Sequence, residues 1–217
     1  MTIDTYRNVA ETIFHITAKD EVRQFFPLTL AKKGRRIQMV GAHSDIGGGY
    51  MPNAKPGGGA FNIKEYQGVL DVLREKFGFS KVDETRALDT YKNQQGDTLF
   101  INYFSQARIP TSFAFFNKAE HGLQFVSLRL MLDEALAAGV PFKKSLGNNI
   151  DGINVALSDE LQKYYEALSH SDTEAIEELE MHIRQRYAHM SFRNASIAGV
   201  VYAALPEKNG ERRITIM

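Results

Sequence analysis

Apolar residues recur at helical spacing over several stretches of the chain, and the first lies near its start. Val9, Ile13, Phe14, Ile16 and Val22, with Asp4 or Thr5 as N-cap, predict an amphipathic helix over residues 6–26 that stops at Pro27. A short apolar run, Ile37-Gln-Met-Val40, then reads as a strand delivering its chain into a loop. That loop, residues 44–62, holds Pro52, Pro56 and Gly57-Gly-Gly59 and predicts no regular structure. Further helices are predicted over 64–77, over 123–138 with Gly139 and Pro141 as the stop, over 158–168, and over 172–186. Ser171-Asp-Thr-Glu174 has the spacing of a capping box opening the last of these. Near the end, 199–204 and 213–216, separated by Pro206 and Asn209-Gly210, predict a hairpin.

Composition narrows the function classes. The 217 residues are 43% apolar and 24% charged, with no low-complexity tract, which describes an ordinary globular chain with one substantial core. Twenty-six basic residues balance 26 acidic ones, so no global field draws the chain to nucleic acid. Zero cysteines exclude a disulfide framework, a thiol nucleophile and a thiolate metal site. The first residues lack the pattern of a signal peptide, and no apolar run is long enough to span a bilayer. Metal dependence has no support: His121, His170 and His182 have no partner at ligand spacing, and His43-x-Asp45 alone does not make a site. No cofactor is expected.

The chemistry-bearing segment is Gly41-Ala-His-Ser-Asp-Ile-Gly-Gly-Gly-Tyr50. A histidine placed directly after a buried strand, in a loop with Gly47, Gly48 and Gly49, is either a hydrogen-bonded core residue or an acid–base group. Asp45 reads as an organiser of the loop that accepts N–H bonds from the glycines, or as a direct partner of His43. The glycines themselves are a tight turn or the lining of a site. Ser44 points away from His43 in an extended backbone, which makes it a poor nucleophile. No Gly-x-Ser-x-Gly elbow occurs; Gly78-Phe-Ser-Lys81, with Ser80, only approaches one. His15, Asp20, Glu21 and Arg23 share the first predicted helix, where Asp20 and Arg23 pair in solvent or the helix buttresses the His43 loop. His189, between a helix and a loop, is a candidate for a supporting or interface role. The aromatic run 113–116 and Val140-Pro-Phe142 fill a core or present an apolar face to lipid, and the acidic 172–186 helix is a solvated face or a docking site.

The motif, with His15-Ile-Thr-Ala-Lys-Asp-Glu-Val-Arg23 and Phe25-Phe-Pro27 before it, resembles the C-terminal part of the α/β-hydrolase-like family that includes type VI secretion phospholipase effectors. Leu123–Ala135 with Gly139-Val-Pro-Phe142, and Arg186-Tyr-Ala-His-Met-Ser191 through Gly210-Glu-Arg-Arg213, are similar to later blocks of that family. The resemblance implies a partial α/β-hydrolase fold, mostly helical with few strands, as one domain over 1–217. Residues 1–62 would carry the His loop, and 63–217 helical additions and a terminal hairpin. It implies that His43 is the catalytic histidine, with Asp45, Gly47, Gly48 and Gly49 organising or lining the site and His15, Asp20 and His189 supporting it. The nucleophile elbow and the triad Asp would belong to a preceding half of the domain, so the chain alone is expected to be inactive. The substrate implied is a phospholipid or another acyl ester; the implied partners are the missing N-terminal half, a secretion adaptor and an immunity protein. Such a protein is made in the cytoplasm and delivered by type VI secretion to a target cell. The reading from a different class is a non-catalytic remnant or binding module on a hydrolase scaffold.

Overall fold

The computed structural model describes residues 10–21, 27–50, 57–61, 75–76, 78, 88–92, 98–104, 109–116, 119–189, 196–197, 200–201 and 214–216. It begins with three strands, β1 (Phe14–Ala18), β2 (Leu28–Leu30) and β3 (Arg35–Met39), followed by a short helix α1 (His43–Gly47). Next come β4 (Gly57–Phe61), β5 (Leu88–Lys92), β6 (Thr98–Phe104) and β7 (Ile109–Phe116). The remainder is α2 (Leu123–Ala137), β8 (Asn149–Ile150), β9 (Ile153–Asn154), α3 (Asp159–His170), α4 (Thr173–Tyr187), β10 (Ser196–Ile197), β11 (Val200–Val201) and β12 (Ile214–Ile216).

The core forms where β3 meets three helices. Along β3, Ile37 and Met39 are buried while Arg36 and Gln38 face out, the period of two that a half-covered strand requires. Leu123, Val126 and Leu130 recur along one face of α2, and Leu161, Tyr164 and Leu168 along one face of α3; these pack with Ile183 and Tyr187 of α4 around Met39 and Val40. Each buried Val, Leu or Ile side chain contributes roughly 1.5–3 kcal/mol. Tyr164, with no exposed surface, spends its one polar atom on the strand end: its hydroxyl accepts the Val40 N–H at 3.2 Å. Among the described residues no helix is long and apolar enough to cross a membrane.

Three of the predicted helices form close to their expected bounds. Ser158 caps α3 by accepting the Leu161 N–H. At α4 the cap is Asp172, which accepts the Ala175 N–H, and not Ser171, which instead ends α3 in the left-handed conformation at φ 57°. The expected capping box is therefore not formed: with Asp172 as the cap, the third helical residue is Ala175, which has no polar side chain to reach back.

Four expectations are corrected. The stretch expected as a helix over 6–26 contains β1, paired in parallel with β3 from Phe14↔Arg35 to Ala18↔Met39. Every residue of β1 is at least partly covered, so the strand does not alternate cleanly, and its apolar positions mimic a helical face. The stretch 44–62 is not irregular throughout, because α1 and β4 lie within it. A four-stranded antiparallel sheet, ordered β4-β7-β6-β5, occupies the region expected to carry helical additions, and the aromatic run at 113–116 lies in its strand β7. The terminal hairpin is not formed as expected: β11 pairs with β10, whereas β12 runs parallel to β2 through Ile214↔Leu28. Most of the helix expected over 64–77 lies outside the described residues.

Candidate active site

Because β1 and β3 are parallel neighbours, the segments that leave their carboxyl ends emerge side by side. The Lys19 N–H donates to the Met39 carbonyl at 2.7 Å and the Asp20 N–H to the Gly41 carbonyl at 3.0 Å, so the pairing continues past both strands. Gly41 is required here. Its φ is +103°, and a Cβ would lie 2.7 Å from the Asp45 Cβ. The chain then turns into α1, which starts at His43.

His43 and Glu21 are joined across this junction. His43 Nδ1 lies 2.7 Å from Glu21 Oε2, and the same oxygen takes the His43 backbone N–H at 3.4 Å. The Glu21 side chain is 1% exposed and that of His43 41% exposed, so a buried carboxylate holds a ring that opens to solvent. An ionised carboxylate only accepts, which assigns the proton to Nδ1 and leaves the lone pair on Nε2. Ser44 Oγ lies 3.2 Å from that Nε2. Helical backbone in α1, in place of the expected extended one, turns the hydroxyl toward the ring. An imidazole with a fixed tautomer whose Nε2 faces a hydroxyl is equipped to take a proton from it and return it to a leaving group.

Asp20 is buried beside this pair and does a different job. It accepts the Gly41 N–H at 2.8 Å and the Arg184 Nε–H at 3.1 Å, linking the end of β1, the start of the His43 turn and α4. Its expected partner Arg23 lies outside the described residues. Glu180 adds to this link, 3.6 Å from Arg184 and paired with Lys19.

Asp45 is 2% exposed and accepts three donors: the Ala42 N–H at 2.8 Å, the His189 N–H at 2.9 Å and His189 Nδ1 at 2.7 Å. Its bonds thus go to Ala42 and His189 and not to the expected glycines. Burial pushes its carboxyl above the ordinary value, against the opposing pull of the His189 bonds. The His189 ring stacks on Tyr50 at 3.8 Å. Gly47, Gly48 and Gly49 are exposed; Gly48 has φ +80°, and the Gly49 N–H donates to Gln124 Oε1, whose amide in turn donates to the Tyr50 carbonyl. The N-terminal turn of α2 therefore holds the glycine loop.

Of the residues singled out in the sequence, His43, Asp45, Asp20 and His189 come together. His15 sits in β1 opposite Arg36, toward the other end of the strand from Asp20 and Glu21. Glu21, expected on a solvated helix, and Arg184, which no motif marks, join that group. A recoverable signal existed: Glu21 lies three residues past one strand and His43 four past its neighbour, but only a parallel pairing makes those offsets coincide. Among the described residues no group of three or more His, Cys, Asp or Glu side chains is arranged to hold a metal ion.

No protein-family model matches this sequence, and no curated protein matches it. Among solved structures the chain is similar to the Tle1 effector bound to the VgrG spike from the Type 6 secretion system, with a TM-score of 0.59 and 19% identity over 95% of this chain and 50% of that one. The chain therefore spans about half the length of that protein, and at this identity the likeness is one of fold.

Proposed function

We propose that this chain supplies the histidine and acid of a serine-dependent lipid esterase, a phospholipase of the type VI secretion effector kind. The observation that carries the reading is the His43–Glu21 pair, a solvent-facing imidazole held by a buried carboxylate at the carboxyl ends of adjacent parallel strands. In this reading a serine supplied from sequence outside these 217 residues attacks the ester carbonyl. Its proton passes to His43 Nε2 while Glu21 holds Nδ1–H and stabilises the imidazolium. His43 then protonates the departing alcohol, and water repeats the cycle on the acyl-enzyme. Glu21 thereby takes the acid role that the family resemblance assigned to a preceding half. No cofactor enters. The similarity to an effector seen on its VgrG spike supports a secretion spike or adaptor as a delivery partner and a target cell as the place of action; an immunity protein as the neutralising partner is part of the same proposal.

Ser44 carries a second reading. With Oγ 3.2 Å from His43 Nε2 it completes a serine–histidine–glutamate relay within one chain. Hydrolysis of short acyl esters separates the two. The first reading expects no turnover above background from the purified chain, and turnover on co-expression with the polypeptide encoded immediately upstream. Robust hydrolysis by the chain alone, abolished by Ser44→Ala, would establish the second. Inactivity under both conditions would leave the non-catalytic binding module.

A further inference from the structure

We propose that His189 is a positioning residue for His43, acting through Asp45. The role rests on the reading of His43 as the working base, but its geometry stands by itself. Helix α1 has five residues, and its N-cap, Ala42, offers no capping side chain. A helix of that length does not hold its own orientation in water. What fixes the direction of the His43 ring must come from elsewhere in the fold.

Asp45, the third residue of α1, is where it comes from. One carboxylate oxygen reaches back to the Ala42 N–H, the residue before His43, as an acidic group in a helix first turn does. The same oxygen takes the His189 N–H, and the other takes His189 Nδ1. His189 thus donates two of the three bonds on Asp45. It lies two residues past the end of α4, the helix whose Arg184 holds Asp20 and, through it, the Gly41 N–H. The end of α4 therefore grips both flanks of His43, Gly41 on one side and Asp45 on the other. The Tyr50 ring, stacked on His189 at 3.8 Å and 16°, limits tilting of the imidazole.

Both members of the pair are 2% exposed, so water does not replace a lost donor readily. Removing the imidazole leaves Asp45 to find another arrangement, and α1 turns with it. His43 Nδ1 and Glu21 Oε2 sit on separate segments at 2.7 Å, a separation that a small rotation of α1 breaks.

The test is NMR of the full chain, reading the low-field Nδ1 proton and ring nitrogens of His43, assigned by their loss in His43→Gln. His189→Leu fills the ring's space but donates nothing from its side chain, and is expected to abolish the His43 low-field signal in folded protein. His189→Asn, whose amide donates near the former Nδ1, is expected to restore it. His182→Ala, on an exposed pair with Glu160, leaves it unchanged. Should His189→Leu not fold, Tyr50→Leu replaces it and is expected to broaden the same signal. A merely structural role would lower the melting temperature of the folded variants without touching the His43 signal, and that result overturns the proposal. Because the readout needs no substrate, an unperturbed His43 signal leaves the esterase reading standing.

Discussion

Replacing Asp20 by alanine removes one half of a buried ion pair and one acceptor from the His43 turn. The Asp20 side chain has no exposed surface and that of Arg184 is 9% exposed, so solvent does little to compensate. Breaking a buried pair by deleting one partner costs about 3–5 kcal/mol, and orphaning a buried N–H, here that of Gly41, about 1–3 kcal/mol. Glu180, 3.6 Å from Arg184, remains to hold the guanidinium and draws the expected loss toward the low end, about 3 kcal/mol. For a chain of this size that corresponds to a fall in melting temperature of roughly 6–12 °C. Arg184→Met is expected to cost a similar amount, because it strands Asp20. Asp20→Ala combined with Arg184→Met removes both charges, and is expected to cost less than the sum of the single changes by about 1–3 kcal/mol. Urea and thermal unfolding followed by circular dichroism measure all three. An Asp20→Ala cost under about 0.5 kcal/mol, or strict additivity in the double variant, would refute the claim that this pair ties α4 to the His43 turn.

Three further outcomes follow from individual contacts. Gly41→Ala is expected to destabilise by at least about 2 kcal/mol, since a Cβ at φ +103° meets Asp45 at 2.7 Å, whereas Gly139→Ala, at φ +82° with open space around it, costs only about 1 kcal/mol; equal thermal melts would contradict this. Ser158→Ala removes the cap on Leu161 N–H and a 2.9 Å bond to the Tyr187 hydroxyl, and is expected to cost about 1 kcal/mol in urea unfolding. Burial holds the Asp45 carboxyl above its ordinary 3.8, so the folded chain binds that proton more tightly than the unfolded chain, and the stabilisation is lost as pH rises through the raised value. The unfolding free energy of the wild type minus that of Asp45→Asn should therefore fall with pH above about 4, and a rise would show that the His189 bonds outweigh burial.

The three long helices α2, α3 and α4 were legible because each keeps one apolar face in helical register, as Leu123, Val126 and Leu130 do in α2. β1 was not, because a strand covered on both sides loses its alternation, so that Phe14 and Ile16 read in the sequence as part of a longer helical apolar pattern. The small sheets depend on pairings distant in sequence, such as Ile214 with Leu28, that no local pattern encodes. At the site, the glycine-flanked His43 announced itself, and Asp45 followed from its spacing. Glu21 looked like a surface charge because it was placed on a helix. Arg184 lay in a charged helix read as solvated, and only the fold shows that its inward face meets Asp20.

The central claim is that His43, held by Glu21, is the base of an ester hydrolysis. Its most direct test is fatty-acid release from phospholipid vesicles by the chain co-expressed with the polypeptide encoded upstream, comparing wild type with His43→Ala and Glu21→Gln. Loss of a general base or of the acid that fixes its tautomer removes roughly 10²- to 10⁴-fold in rate, so both variants are expected to fall by at least that much with unchanged circular dichroism. Near-normal release by a folded His43→Ala variant would contradict the account.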